Sequence, residues 1–210
     1  MNPNNPPLSE LSVDDPRFWE TLYHNEEDHW ELGSSAPPLV SHLRKDPPPK
    51  GKVAVLGCGR GHDARIFSQL GYDVWGFDFS ETAINEAQKI GGDQDGHLRF
   101  ECRDIFKLPE IYPAFFDVIW EYTCFCAIDP KRRPDYVQTV LHILKPGGHF
   151  LANFWPVRDG TGGPPFPVQR SEIELLFGPY FSFLTAYEPS NSVRGRQGKE
   201  WFVHARHVGY

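Results

Sequence analysis

The 210-residue chain is 40% hydrophobic and carries a formal charge of -7, from 21 Lys plus Arg against 28 Asp plus Glu. That length suits one domain with a sizeable core, and the acidic balance offers no electrostatic footprint for nucleic acid or an anionic membrane. No apolar run reaches membrane-span length and the opening MNPNNPPLSE lacks a secretion pattern, so a cytoplasmic protein with no membrane partner is expected.

Residues 1–13 read as a flexible tail, and 14–210 as a single domain. DDPRFWETLYHN predicts a helix, with Asp14 or Asp15 as its cap and Pro16 in its first turn. PPLVSHLRK predicts a short second helix, and DPPPKG breaks the chain before the first strand. KVAVLGC is a near-continuous apolar run, as a parallel strand covered on both faces requires. HDARIFSQL has helical spacing and ends at Gly71, a natural C-terminal stop. DVWGFD is the second strand; Ser80 then caps a helix whose Ala83, Ile84, Ala87 and Ile90 share one face. HLRFECRD and FFDVIWEY are the third and fourth strands. Pro134 opens a helix with Tyr136, Val137, Val140, Leu141 and Leu144 on one face, which KPGG is expected to end before the strand HFLANFW. SEIELLFG predicts a short helix, with Ser171 and Glu174 as a capping box and Gly178 as its close. YFSFLTAYE and KEWFVHARH have no helix between them and predict an antiparallel hairpin at one edge. Alternating strands and helices imply an α/β fold: a Rossmann-like, doubly wound, mostly parallel sheet of seven strands.

The chemistry begins at GCGRG, where the first strand ends. A phosphate-binding P-loop needs Lys and Ser/Thr after its last glycine; here His62 and Asp63 follow Gly61. The dinucleotide pattern G-x-G-x-x-G fails too, because His62 holds its sixth position and Asp63 would repel a pyrophosphate. Asp63 suits an ammonium group instead. Asp78 ends the second strand, where an acid accepts hydrogen bonds from ribose hydroxyls. Asp104, followed by Ile105 and Phe106, ends the third and offers a polar edge and apolar face to an adenine. Either aspartate alone reads equally as a turn residue; both, in this order after the glycine turn, describe a ligand with an adenosine, an amino-acid end and no phosphate. S-adenosylmethionine fits. The four cysteines, Cys58, Cys102, Cys124 and Cys126, form no CxxC pair, so they read as buried free thiols and no metal site is expected.

From Phe18 to His207 the chain resembles the thiopurine S-methyltransferase family, and within it the thiol and halide methyltransferase branch. The resemblance rests on FWETLYHNEEDHW, LGCGRGHD, GFDFS, WEYTCFCAIDPKRRPDY, LKPGGHFL, GGPPFPV and RGRQGKE. It implies a class I S-adenosylmethionine-dependent enzyme with a seven-stranded sheet and an N-terminal lid over 14–45. It implies cofactor contacts at Trp19, Tyr23, Trp30, Gly57, Asp78, Asp104, Ile105 and Tyr122, with Tyr122 near the reacting sulfonium. Tyr23 stands where the family often has tryptophan, Glu121 where aspartate is common, and Cys124 where phenylalanine is frequent. The last change bears on acceptor size. Phe18, Cys124, Phe125 and Phe166 are expected around a small soft acceptor: a thiol, sulfide or halide ion. A monomer is expected.

Methyl transfer from a sulfonium is an in-line displacement that asks for alignment and exclusion of water rather than a metal. Tyr122, Glu121 and His204 are the candidate bases for a thiol. Arg194, Arg196 and Lys199 form a late basic cluster suited to an anionic acceptor or to a solvated turn. The rival readings are a thiopurine or metalloid methyltransferase, a nicotinamide-dependent oxidoreductase, and a non-catalytic S-adenosylmethionine sensor.

Overall fold

The computed structural model describes residues 7–91 and 96–209; residues 1–6 of the expected tail lie outside it. Seven strands form one sheet in the order β3-β2-β1-β4-β5-β7-β6. They are β1 (Lys52–Leu56), β2 (Asp73–Asp78), β3 (Leu98–Cys102), β4 (Phe116–Glu121), β5 (Leu144–Phe154), β6 (Phe181–Tyr187) and β7 (Trp201–His207). β1 to β5 run parallel, while β7 lies antiparallel to both β5 and β6. Among the described residues seven α-helices accompany them: α1 (Pro16–His24), α2 (Pro37–Lys45), α3 (His62–Gln69), α4 (Glu81–Ile90), α5 (Leu108–Ile111), α6 (Arg133–Ile143) and α7 (Arg170–Phe177). The expected fold class is the one observed.

Both faces of the sheet are covered. Ala54, Leu56, Phe116, Phe150 and Phe154 join α6 and α7 in one core, and Val53, Val55, Val118, Leu151 and Phe202 join α2 and α3 in the other. This is why the first strand reads as a continuous apolar run rather than an alternation. Caps act where the sequence puts them: Asp15 accepts from Arg17 N at 2.9 Å, and Ser80 Oγ from Ala83 N at 3.1 Å.

Several local details differ from expectation. KPGG does not precede β5 but lies inside it, because Leu144 already pairs with Phe116 and a bulge follows. Gly147, at φ +76°, takes the left-handed conformation that this irregular stretch contains. The Ser171/Glu174 capping box is not made; α7 starts at Arg170, its N-cap is Gln169, and no side chain caps it. Arg170 instead stacks over Trp201, 3.8 Å from the ring centroid, and pairs with Glu188 at 3.1 Å. Ile90 is exposed at the last position of α4, and Cys102 is exposed rather than buried. Among the described residues no helix is long and apolar enough to cross a membrane.

Candidate active site

The order of the sheet reverses between β1 and β4, and ligands of open α/β sheets bind outside the carboxyl ends of strands at such a point. A cavity of about 440 Å³ opens there. Gly57, Asp78 and Ile105 reach it from the ends of β1, β2 and β3, and Cys124 from the turn after β4. Phe18, Trp19, Tyr23 and Trp30 cover it from the N-terminal segment. A smaller chamber of about 60 Å³ adjoins it, sharing Trp30, Gly57 and Thr123 and adding Gly59, Asp63 and Tyr122.

The covering segment is an aromatic cluster. The rings of Trp19 and Trp30 lie 5.6 Å apart and those of Tyr23 and Trp30 5.4 Å, both edge-to-face. Trp30 Nε1 donates to the Tyr23 hydroxyl at 3.3 Å, so tyrosine here provides a bond to the tryptophan that covers the same cavity. Polar bonds tie the segment down on all sides. Glu20 accepts from Ser80 Oγ at 2.6 Å and from both the amide and hydroxyl of Thr82, at the start of α4. Arg132 pairs with Asp14 at 2.6 Å, Arg60 with Asp28, and Arg196 Nη2 donates to the Trp30 carbonyl at 2.6 Å. The stretch before α1 joins in, since Leu8 and Val13 line the cavity and Trp19 Nε1 donates to the Val13 carbonyl at 2.8 Å.

Asp78 is the buried acid of the large cavity. Its two oxygens accept from Gly59 N at 2.8 Å and Ser80 N at 3.0 Å. Burial pushes its pKa up, and those amides partly oppose the shift. A carboxylate offers about four acceptor positions, so each oxygen retains capacity for a ligand hydroxyl. Asp63 is half-buried beside the small chamber, and Ala36 N at 2.7 Å and Trp120 Nε1 at 2.8 Å already engage both of its oxygens. Its structural duty is to join the segment before α2 to β4. Asp104, expected at the cofactor, lines neither chamber; one of its oxygens caps the turn at Ile105 by accepting from Phe106 N at 2.9 Å, and Ile105 and Phe106 line the cavity in its place.

The turn after β4 divides the two chambers. Thr123 sits at φ +66°, a conformation that strains a β-branched residue. Tyr122 on one side of it faces the small chamber, and Cys124 on the other faces the large one. A Cβ on Gly57 would come within 2.8 Å of Cys124 Cβ, so this glycine lets the β1 loop and the β4 turn close against each other. Tyr122 donates to Glu200 Oε1 at 2.6 Å, and burial raises its pKa far above the ordinary phenol value. It is therefore a neutral donor at physiological pH.

Other expected residues fall elsewhere. Phe125 is fully buried in the core among Tyr136, Phe154 and Phe177, and does not line the cavity. Phe166 lines neither chamber: its amide donates to the Cys126 carbonyl at 2.7 Å, and Pro164 and Pro165 form the cavity wall instead. Glu121 is buried behind the turn, accepting from Phe125 N at 2.9 Å and Tyr136 Oη at 3.0 Å; burial raises its pKa to about 7. His204 lies within β7 and lines neither chamber. Of the basic cluster, Arg196 alone is buried, its guanidinium 5.0 Å from the Tyr122 ring centre and 4.5 Å from that of Trp155. Trp155, one residue beyond β5, lines the cavity and was legible only as the end of HFLANFW.

The family model for thiopurine S-methyltransferase matches residues 14–207. Thiocyanate methyltransferase 1 of Arabidopsis thaliana is 31% identical over 185 residues, covering 87% of this chain and 81% of that protein. A probable thiol methyltransferase 2 from the same plant is 31% identical over 186 residues, with the same shares. In fold, the chain is similar to the 1,6-didemethyltoxoflavin-N1-methyltransferase of Burkholderia thailandensis, solved with S-adenosylhomocysteine. The TM-score is 0.72 at 19% identity, over 99% of this chain and 93% of that one.

Proposed function

This chain belongs to the thiopurine S-methyltransferase family, as an enzyme with S-adenosylmethionine as methyl donor, and on that premise we propose that it methylates a small soft nucleophile: a thiol, sulfide, halide or thiocyanate ion. One observation carries the choice of acceptor. Among the described residues lining the large cavity, Asp78 is the only buried carboxylate or imidazole, and it stands beside the glycine loop; Asp14, Glu27 and His29 there are exposed. A hydroxyl acceptor of high pKa would lack a buried base beyond the acid assigned to the donor. A thiol that ionises near neutral pH, or an anion with no proton to lose, needs none.

The residues fit the donor. Asp78 has acceptor capacity for the ribose hydroxyls, Ile105 supplies an apolar surface for the base, and the Gly57–Gly59 loop borders the smaller, more polar chamber for the amino-acid end. When bound, S-adenosylmethionine supplies an activated methyl group on a positively charged sulfur. The chain's part is to align the acceptor and to dry the site, and the Phe18, Trp19 and Trp30 cover with the Cys124, Trp155 and Pro164 wall does both. A soft anion gives up its hydration at low cost in such a chamber. Arg196, buried behind Trp155 with Nη1 unpaired among the described residues, places a positive charge where an anionic acceptor gains from it. Tyr122 acts as a fixed wall, oriented by Glu200, rather than as a base.

The test is an acceptor panel with purified protein and S-adenosylmethionine: iodide, thiocyanate, sulfide, aliphatic and aryl thiols, and thiopurines, with a phenol and an amine as hard controls. Turnover confined to the sulfur and halide acceptors is expected. Preferential methylation of the phenol or the amine would overturn the reading, and cofactor binding without turnover of any acceptor would favour a sensor.

A further inference from the structure

We propose that His42, Asp46 and His204 form a site for one divalent transition-metal ion of the zinc class, joining α2 to β7 away from both chambers. His42 and Asp46 stand four residues apart at the end of α2, a spacing that puts two side chains on one helix face. His204 meets them from the sheet. His42 Nε2 lies 3.0 Å from His204 Nδ1, and Asp46 Oδ2 lies 4.0 Å from the same nitrogen. All three ligand atoms lie within 4.8 Å of one another. Metal–ligand bonds of about 2.0–2.2 Å put neighbouring tetrahedral ligands about 3.3 Å apart, so a small opening of the histidine pair and a swing of Asp46 would close the set. Asp46 can make that swing, because its side chain is 63% exposed.

The surroundings are those of a metal site. Both imidazoles are buried, and the His42 ring packs 4.7 Å from that of Phe202, giving an apolar shell. Behind His204 stands a second-layer partner: His149 Nδ1 is 2.8 Å from His204 Nε2. When His204 donates its Nε2 proton to His149, its Nδ1 lone pair is aimed at the ion, the arrangement by which outer partners orient metal-bound histidines. Imidazole nitrogen with carboxylate oxygen suits zinc, cobalt or nickel better than calcium or magnesium. Asp46 contributes negative charge, and its exposed side leaves room for a water as a further ligand.

The experiment uses tag-free, chelator-treated protein and titrates it with Co²⁺, followed by Zn²⁺. One equivalent of Co²⁺ per chain should bind with visible absorption bands, which Zn²⁺ abolishes by displacement. Asp46→Asn and His42→Ala should each weaken Zn²⁺ binding at least about tenfold, and His149→Ala about 10- to 100-fold through its outer position. Asp46 is exposed, so the Asp46→Asn chain keeps its fold, to be checked by unchanged calorimetric binding of S-adenosylhomocysteine. Failure of the folded wild type to bind either ion at micromolar concentration would overturn the proposal. So would binding that survives both Asp46→Asn and His42→Ala, or thiolate charge-transfer absorption placing the ion on cysteine.

Discussion

Arg196 donates from Nη2 to the carbonyl oxygen of Trp30 at 2.6 Å, joining residues 166 positions apart. The same guanidinium sits against Tyr122 and Trp155, so one buried cation touches the cover of the cavity and two aromatic walls behind it. Arg196→Gln should loosen the cover. A charged hydrogen bond of this kind contributes roughly 1.5–3 kcal/mol, and urea unfolding should show a loss of that order. The KM for an anionic acceptor should rise more than that for a neutral thiol. Equal effects on both acceptors would confine Arg196 to holding the cover.

The cover itself should respond to the cofactor. Residues 14–32 carry Trp19, Tyr23 and Trp30 over the cavity, outside the sheet. Amide exchange across this segment should slow on binding S-adenosylhomocysteine, with the strands little changed. Identical exchange in both states would make the segment a static wall.

Asp78→Ala should weaken S-adenosylhomocysteine binding by about 1.5–3 kcal/mol, roughly 10- to 150-fold, through loss of charged acceptors for hydroxyl donors. Isothermal calorimetry measures it directly. An unchanged affinity in the folded variant would remove Asp78 from the cofactor site.

Cys124→Phe should narrow the acceptor side, since Cys124 lines the large cavity. Its Cβ already lies close to the Gly57 backbone, so added bulk must grow into the chamber. Rates with bulky thiols should fall about tenfold or more, while iodide and sulfide are much less affected. If every acceptor kept its wild-type rate, Cys124 would not limit acceptor size.

Stability should fall as pH rises through neutrality. Burial raises Glu121 from the ordinary 4.5 to about 7 in the folded chain. The native state therefore holds this proton more tightly than the unfolded state, so the contribution is full below pH 4.5 and is lost as pH rises to about 7. At about 1.4 kcal/mol per pH unit the total over this rise is on the order of 3–4 kcal/mol. Comparing urea unfolding at pH 5.5 and 8 for wild type and Glu121→Gln checks this: the variant should lose most of the slope. A slope unaffected by the substitution would assign it to other groups.

The order of the elements, the parallel sheet with its antiparallel end, and the sheet edge at which the cavity opens were all legible in the sequence. These follow from local causes: apolar runs flanked by glycine turns, caps such as Asp15 and Ser80, and acids at strand ends. The sequence also marked part of the cavity wall, Gly57, Asp78, Ile105 and Cys124 among it, because residues just past the carboxyl end of a parallel strand face one edge. Only the tertiary structure decided which way each side chain turns there. Tyr122, Cys124 and Phe125 are near neighbours in the chain, yet they face the small chamber, the large chamber and the core, because Thr123 adopts a left-handed conformation and the next residues form a tight turn. KPGG read as a stop, and pairing of Leu144 with Phe116 drew it into β5. Arg196 was one of several basic residues in a late loop; its burial depends on Trp30, Tyr122 and Trp155, contributed by three distant segments. His42 and His204 likewise meet across 162 positions, a contact set by the packing of α2 on the sheet and not by any spacing in the chain.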